Sequence, residues 1–186
     1  MTVRLKAPER RARIEEAAEE VFATHGYQGA SLGLIAASAG ISKPVIYDHF
    51  GSKRELHLAL LEKTRDALLA FQAEQVSGET FEERIRSMLN AYFDYVERHP
   101  YAARMLFRET TGDPEVVAAH RAVIAEADRR IGSALRAEGI ANPDVAAVLL
   151  RNGIDGLSVW LSDNPEWPRD EARATAIELV LGALAR

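Results

Sequence analysis

Residues 40–53, GISKPVIYDHFGSK, place several hydrogen-bond donors within a short stretch of chain. Lys43 is a cation that can donate to the edge of a guanine, and Val45 offers methyl groups to the methyl group of a thymine. Tyr47 and His49 carry donors that suit phosphate oxygens. The types and the spacing of these residues indicate a surface that recognises nucleic acid.

Two short helices joined by a tight glycine turn are expected to position this segment. Ser31 caps the first of these helices, Gly40 ends it, and Ser42 caps the next. Pro44 falls in the first turn of that next helix, where its missing N–H costs nothing. Such a pair is typical of a helix-turn-helix, whose second helix lies in the major groove of DNA. The residues expected to face inward on that helix are four apart, Ile46 and Phe50.

The ends of the flanking helices offer places for backbone phosphates. The sequence from Ser52 to Glu55 is a capping box that opens a long fourth helix. Free N–H groups in the first turns of the second and fourth helices attract anions, and the hydroxyl of Ser31 and the ammonium of Lys53 lie beside them. The residues expected to contact DNA are therefore Ser31, Ser42, Lys43, Pro44, Val45, Tyr47, His49 and Lys53.

The rest of the sequence predicts helices and no strand. In the first helix, apolar residues recur at i, i+3, i+4, i+7 and i+8 from Ile14 to Phe22, and Gly26 is expected to end it. Later helix starts are marked by caps: Thr80 with Glu83, Asp113-Pro114 and Asn142-Pro143. About nine helices with short connections predict an all-α protein, with a long fourth helix linking three short helices to the rest.

The later helices concentrate aromatic and methionine residues with a few polar ones. Such a mixture is typical of a small-molecule pocket, although packing in an ordinary core explains any single apolar residue equally well. The candidate ligand-binding residues are Met88, Tyr92, Phe93, Met105, Phe107, Asn152, Asp155 and Trp160.

Two apolar faces near the end of the chain predict a helical interface between two copies. On the eighth helix this face contains Val145, Val148, Leu149, Gly153, Gly156 and Leu157, and on the ninth it contains Ile177, Val180, Leu181 and Leu184. These faces could also be buried against each other within one chain. We favour pairing about a two-fold axis, because such an interface would set two recognition helices about 34–36 Å apart, one turn of DNA.

Charge is distributed unevenly along the 186 residues. The net charge is −5, which is unusual for a nucleic-acid binder, but residues 1–56 carry 8 Lys/Arg against 7 Asp/Glu, and residues 57–186 carry 15 against 21. Arginines and lysines cluster in a basic arm over about residues 1–8 and just beyond it, at Arg4, Lys6, Arg10, Arg11 and Arg13. A solvated tail is the simpler explanation of that cluster taken alone.

Composition excludes several kinds of site. Without cysteine the chain has no disulfide, no thiolate metal site and no cysteine nucleophile. Neither a secretory signal nor a membrane-spanning run is recognisable, so we expect a cytoplasmic protein. The five histidines include no i, i+4 pair, and no nucleotide-binding glycine pattern occurs, so no metal or cofactor is expected.

The segment GASLG, residues 29–33, matches the G-x-S-x-G pattern of a hydrolase nucleophile elbow. That motif needs a strand before its serine, here Ser31, and a sheet beneath it. A helix and a Gly-Tyr turn precede Ser31 instead. We therefore expect no enzyme activity.

The stretch RIEEAAEEVFATHGYQGASLGLIAASAGISKPVIYDHFGSKREL resembles the tetracycline-repressor (TetR) family of transcriptional regulators. The matching positions are Gly26-Tyr27, Ile35-Ala36, Ala39 to Ser42, Tyr47, His49-Phe50 and Lys53. The resemblance implies that Lys43, Pro44 and Val45 contact bases, whereas Ser31, Tyr47, His49 and Lys53 contact the DNA backbone.

The same resemblance implies how the chain is organised and what it does. A DNA-binding domain would occupy residues 1–52, and an effector-binding and dimerisation domain residues 53–186. The expected function is that of a homodimeric repressor, which binds a palindromic DNA operator and is released by a small-molecule effector. A helical ligand-carrying or partner-binding protein without DNA affinity remains the alternative.

Overall fold

The computed structural model describes residues 6–107 and 112–185, and within those ranges it is built from nine helices and no strand. The helices are α1 (Ala7–Gly29), α2 (Leu32–Ala39), α3 (Lys43–Tyr47), α4 (Lys53–Gln75), α5 (Phe81–Arg98), α6 (Pro100–Phe107), α7 (Pro114–Ala137), α8 (Pro143–Asp163) and α9 (Arg169–Leu184). The predicted all-α fold is confirmed. Of the predicted basic arm, residues 1–5 lie outside the described residues. None of the nine helices has the length and apolar character needed to cross a bilayer.

Helix ends follow local chemistry in most places. Ser31 accepts a hydrogen bond from the backbone N–H of Leu34, and Thr80 and Glu83 form the predicted capping box. Gly26 has φ 66° and kinks α1 without ending it, because one further turn of helix follows. The third helix ends at Tyr47, earlier than predicted, and a tight turn leads to Phe50.

Three predicted caps differ in detail. Ser42 occupies the cap position of α3 but forms no capping hydrogen bond through its side chain. Asn142 lies in the left-handed region with φ 50° and likewise caps nothing through its side chain. Glu55 reaches the N–H of Gly51 at 2.9 Å, so the box with Ser52 is only half formed. In each case the turn before the helix sets where the side chain points.

One hydrophobic core holds α1, α2 and α3 together, and we call these three helices the head. Ile14, Phe22, Ile35, Ile46 and Phe50 form its centre. Leu56 and Leu60 of α4 belong to the same core, as does Met105 of α6. The core of the head therefore extends past residue 52, although the boundary between folding units there stays a prediction.

A second core joins the remaining helices and corrects the prediction for α9. Ile177, Val180 and Leu184 are buried in it, and Leu181 packs against it from the edge. That stripe of α9 therefore packs within the chain, as the alternative reading allowed. Because α9 lies against α5 and α8, the face it leaves in solvent is the opposite one, which contains Leu179.

Candidate nucleic-acid interface and ligand cavity

The recognition segment has one buried and one exposed face. Ile46 is fully buried, whereas Tyr47, its neighbour in sequence, is 51% exposed. Lys43 and Pro44 are exposed as well, and the ammonium of Lys43 lies 6.0 Å from the centre of the Tyr47 ring. The buried face holds α3 on the head, so the exposed face is left to meet another molecule.

The other predicted contacts flank this face in different ways. Val45 and His49 are partly exposed, whereas Ser31 and Ser42 are exposed at the starts of α2 and α3. Ser31 uses its hydroxyl oxygen to cap α2, which leaves the hydroxyl hydrogen for another acceptor.

The position of Lys53 differs from the expectation of a free phosphate ligand. Its ammonium donates to the carbonyl oxygens of Tyr27 at 2.8 Å and Ala30 at 3.0 Å, and lies 4.3 Å from the centre of the Tyr27 ring. Lys53 therefore ties α4 to the end of α1, since those carbonyls would otherwise lack a partner. One of its three N–H donors remains for a phosphate.

Two arginines of α1 lie closer to the recognition segment than the sequence suggested. The guanidinium of Arg11 sits 4.5 Å from the centre of the Phe50 ring, and that of Arg13 lies beside Gly40 in the turn between α2 and α3. Both side chains are exposed. Only the fold shows this proximity, because in the sequence they belong to a basic cluster far from residue 43.

A cavity of about 330 Å³ lies in the second core, enclosed mainly by α4, α5, α7 and α8. Of the candidate ligand-binding residues, Met88, Tyr92, Phe107 and Asp155 line it. The sequence analysis missed the contributions of α4 and α7, which include Leu68, Leu69, Val123, Ile124 and Ile131, with Arg65 and Arg130 among the polar ones. Their apolar 3.6-residue period was the available signal, but it does not distinguish a cavity wall from a packed core.

The other four candidates do not line this cavity. Phe93 is buried on the side of α5 that meets α9, with the Arg173 guanidinium 5.8 Å from its ring centre. Met105 packs into the core of the head. Asn152 and Trp160 are exposed on α8, where Asn152 donates to the carbonyl of Val148. For these four, the rotation of each helix about its axis turns the side chain away from the cavity.

A buried polar cluster forms part of the cavity wall. Asp155 accepts a hydrogen bond from the hydroxyl of Tyr92 at 2.9 Å, and Arg151 donates to Asp155 at 3.1 Å and to Asp128 at 2.5 Å. Burial raises the pKa of Asp155 to about 6, although the hydrogen bonds from Tyr92 and Arg151 oppose that shift. The cavity thus offers an apolar ligand one polar contact region.

The surroundings of Ser31 exclude a nucleophile elbow. The residue precedes α2 and follows the end of α1, so no strand leads into it. Nor do three or more His, Cys, Asp or Glu side chains gather as a metal site among the residues with described positions.

Comparison with known proteins decides the family. Residues 14–60 match the model for bacterial regulatory proteins of the tetR family. Over 188 aligned positions the chain is 32% identical to the transcriptional activator FasR of Mycolicibacterium smegmatis, covering 98% of this chain and 86% of FasR. The chain belongs to the TetR family.

Further relatives agree with that assignment. The repressor AcnR of Corynebacterium efficiens is 36% identical over 124 residues, which cover 64% of this chain and 62% of AcnR. A TetR-like regulator from Rhodococcus sp. RHA1 has the same fold, with a TM-score of 0.83 at 23% identity over 98% of this chain and 99% of that one. The protein is a DNA-binding transcriptional regulator, and its relatives are not enzymes.

The head of this TetR-family regulator contains a buried histidine. His57 of α4 packs its ring edge-on to Phe22 at 4.6 Å and against Tyr27 at 5.1 Å between ring centres, and neither ring nitrogen has a hydrogen-bond partner. Burial lowers the pKa of His57 to about 4. The neutral ring therefore acts as an aromatic member of the core.

Asp155 and His57 are expected to give the regulator opposite pH dependences of stability. The pKa of Asp155 rises from 3.8 to about 6 on folding, so the folded state holds the extra proton and this group lowers the free energy of unfolding as pH rises through that window. The pKa of His57 falls from 6.5 to about 4, so the unfolded state holds the extra proton and the effect has the opposite sign. Each effect reaches about 3 kcal/mol.

Urea unfolding at a series of pH values between these pKa values tests this expectation. Relative to the unsubstituted protein, Asp155→Asn should make stability rise more steeply with pH, and His57→Phe should make it rise less steeply. Trp160→Phe, an exposed and non-titrating change, is the control. Equal slopes for all four proteins would contradict the assignment.

Proposed function

We propose that the regulator acts as a homodimer on a palindromic operator and leaves it when a small-molecule effector fills the cavity. The observation that carries the DNA-binding part is the exposed face of α3, with Lys43, Pro44 and Tyr47 in solvent above a fully buried Ile46. A helix held in this way can enter a major groove without unfolding any part of the head.

Within this proposal the residues divide between reading bases and holding the backbone. Lys43, Pro44 and Val45 are at the N-terminal end of α3, the end that reaches base edges in a helix-turn-helix. Tyr47, His49, Ser31 and Ser42 lie around it and are assigned to phosphates. We add Arg11 and Arg13 as phosphate contacts, because they are exposed cations beside the same face.

Operator binding should depend on Lys43 and Tyr47 and should fall with salt. We expect Lys43→Ala to weaken binding to DNA upstream of the regulator's own gene by about 1–3 kcal/mol and to relax the base preference at one position. Tyr47→Phe should weaken binding to all sequences similarly. Fluorescence anisotropy at several salt concentrations measures both effects, with Ala73→Ser on α4 as the control. Binding that ignores both changes would refute the assignment of α3.

The outward face of α8 supports the dimer. Leu149 is 68% exposed and Val145 is 61% exposed, and Leu179 of α9 is 69% exposed. These residues continue into small or aromatic exposed positions along the two helices: Val148, Gly153, Gly156, Trp160, Gly182 and Ala183. An apolar strip of this length is normally covered, and two-fold pairing covers it with the same strip of a second copy.

A charge placed in that strip should separate the dimer. We expect Leu149→Glu to raise the dissociation constant of the dimer by at least about thirtyfold, as loss of a central interface residue does. Ala73→Glu, which adds the same charge to α4 away from the strip, should leave it unchanged. Sedimentation velocity over a dilution series measures both. A monomer before any substitution would overturn the dimer and the palindrome together.

The cavity supports an apolar effector with one polar group. Its wall is formed by aliphatic and aromatic side chains, apart from the Asp155 cluster and the arginines of α4 and α7. Phe107 at the end of α6 lines it, and Met105 of the same helix packs in the core of the head. A ligand that binds one arrangement of α6 better than another would therefore shift the head as well.

Filling the cavity with a side chain should abolish ligand binding. Ala127 of α7 lines the cavity, so Ala127→Trp should remove the fluorescence of the apolar dye Nile red bound to the protein, whereas Ala122→Trp on the exposed side of α7 should not. Saturating dye should weaken operator binding at least about fivefold in the unsubstituted protein. Saturation with unchanged operator affinity would contradict effector release and leave DNA binding standing.

We favour repression as the mode of regulation. AcnR and SCO4008 of Streptomyces coelicolor are named repressors, but FasR, which aligns over most of its length, is a named activator. Activation is therefore the second candidate. Deleting the gene separates the two, because the transcript beside the operator rises if the regulator represses and falls if it activates.

A further inference from the structure

One carboxylate joins the head to α7. The hydroxyl of Tyr27 donates to Oδ2 of Asp113 at 3.2 Å, and Nε of Arg54 donates to the same oxygen at 2.9 Å. Oδ1 of Asp113 accepts the backbone N–H groups of Glu115 at 3.1 Å and Val116 at 3.5 Å. Asp113 therefore caps α7 with one oxygen and holds α1 and α4 with the other.

Further contacts surround this carboxylate. Nη1 of Arg54 donates to Glu115 at 2.7 Å, so the guanidinium bridges two acidic residues at the start of α7. The backbone is close-packed here too. Gly112 has φ 102°, and a Cβ atom on it would lie 1.3 Å from Nε2 of Gln28. The start of α7 and the end of α1 thus meet without room for an added methyl group.

The charges at this junction favour the ionised carboxylate. Burial would raise the pKa of Asp113, but the hydrogen bonds from Arg54 and from the start of α7 outweigh it and lower that pKa. Burial and the Asp113 carboxylate together raise the pKa of Tyr27, so its hydroxyl stays a donor. Both donors and the acceptor are therefore present at neutral pH.

The helix that carries Asp113 also reaches the cavity. Val123, Ile124, Ala127 and Ile131 of α7 line it, two to five turns beyond the junction. A helix of 24 residues transmits a shift along its length because its backbone bonds are continuous. The junction is thus the point at which α7 contacts both α1 and the first turn of α4.

We propose that Asp113 is a positioning residue for operator binding, which holds the head at one angle to the effector-binding helices. The proposal rests on the proposed function only in assuming that the head binds the operator. Arg54 is about half exposed, and ion pairs of that kind add little to stability, so the role of the contact is orientation. Without it, the head samples a wider range of angles, and two heads match adjacent major grooves less often.

Asp113→Asn tests this role because asparagine retains the cap on α7 and loses the charge. Since the chain has no cysteine, Ala37→Cys on α2 and Ser133→Cys on α7 accept spin labels without competition. Double electron–electron resonance, with labelled protein diluted in unlabelled protein, gives the distance from head to α7 within one protomer. We expect Asp113→Asn to broaden this distance distribution about twofold and to weaken operator binding of the unlabelled protein about twofold to thirtyfold.

Matched variants separate positioning from simple loss of an ion pair. Asp94 of α5 pairs with Arg173 of α9 at 2.7 Å, so Asp94→Asn removes a similar bridge away from the junction and should leave the distribution unchanged. Arg54→Gln should behave like Asp113→Asn, and the double variant should be no worse than either alone, since both act through one contact.

The outcomes distinguish this proposal from the proposed function. Distance distributions and operator affinities that superimpose for Asp113→Asn and the unsubstituted protein would overturn the positioning role. A broadened distribution in a protein that binds no operator would instead retain the orienting contact and refute operator binding.

Discussion

The burial of Ile46 and Phe50 is the constraint on which DNA recognition depends. A helix of five residues is too short to be stable in water by itself, because few of its backbone hydrogen bonds repay the cost of nucleation. Packing against α1 and α2 supplies what the helix lacks and fixes its rotation. The exposure of Lys43 and Tyr47 is a consequence of that rotation. A head built in this way presents a rigid surface, so little ordering entropy is lost on binding.

The rest of the molecule connects that surface to a cavity through shared elements. The fourth helix gives its first turns to the core of the head and its later turns to the cavity wall. The sixth helix behaves in the same way, through Met105 and Phe107. The seventh reaches the head through Asp113 and the cavity through its middle turns. Because three helices are each part of both regions, neither region can rearrange without the other feeling it.

Helix existence and most helix ends followed from local sequence, whereas the facing of individual side chains did not. Ser31, Thr80 and Asp113 were recognisable as caps because a cap involves neighbours three residues away or fewer. The α9 stripe was assigned to the wrong surface because a periodic apolar face looks the same whether a second chain or the same chain covers it. Phe93 and Trp160 were assigned to the cavity on composition, which carries no information on rotation.

The sequence by itself determined the all-α class, the helix-turn-helix and the family, since these depend on short-range periodicity and on a motif within 50 consecutive residues. Only the tertiary structure decided which candidates surround the cavity, that Lys53 caps α1, and that Asp113 meets Tyr27 and Arg54. The physical reason is distance along the chain. Tyr27 and Asp113 are 86 residues apart, and contacts of that separation arise from the packing of whole helices, which no local pattern encodes.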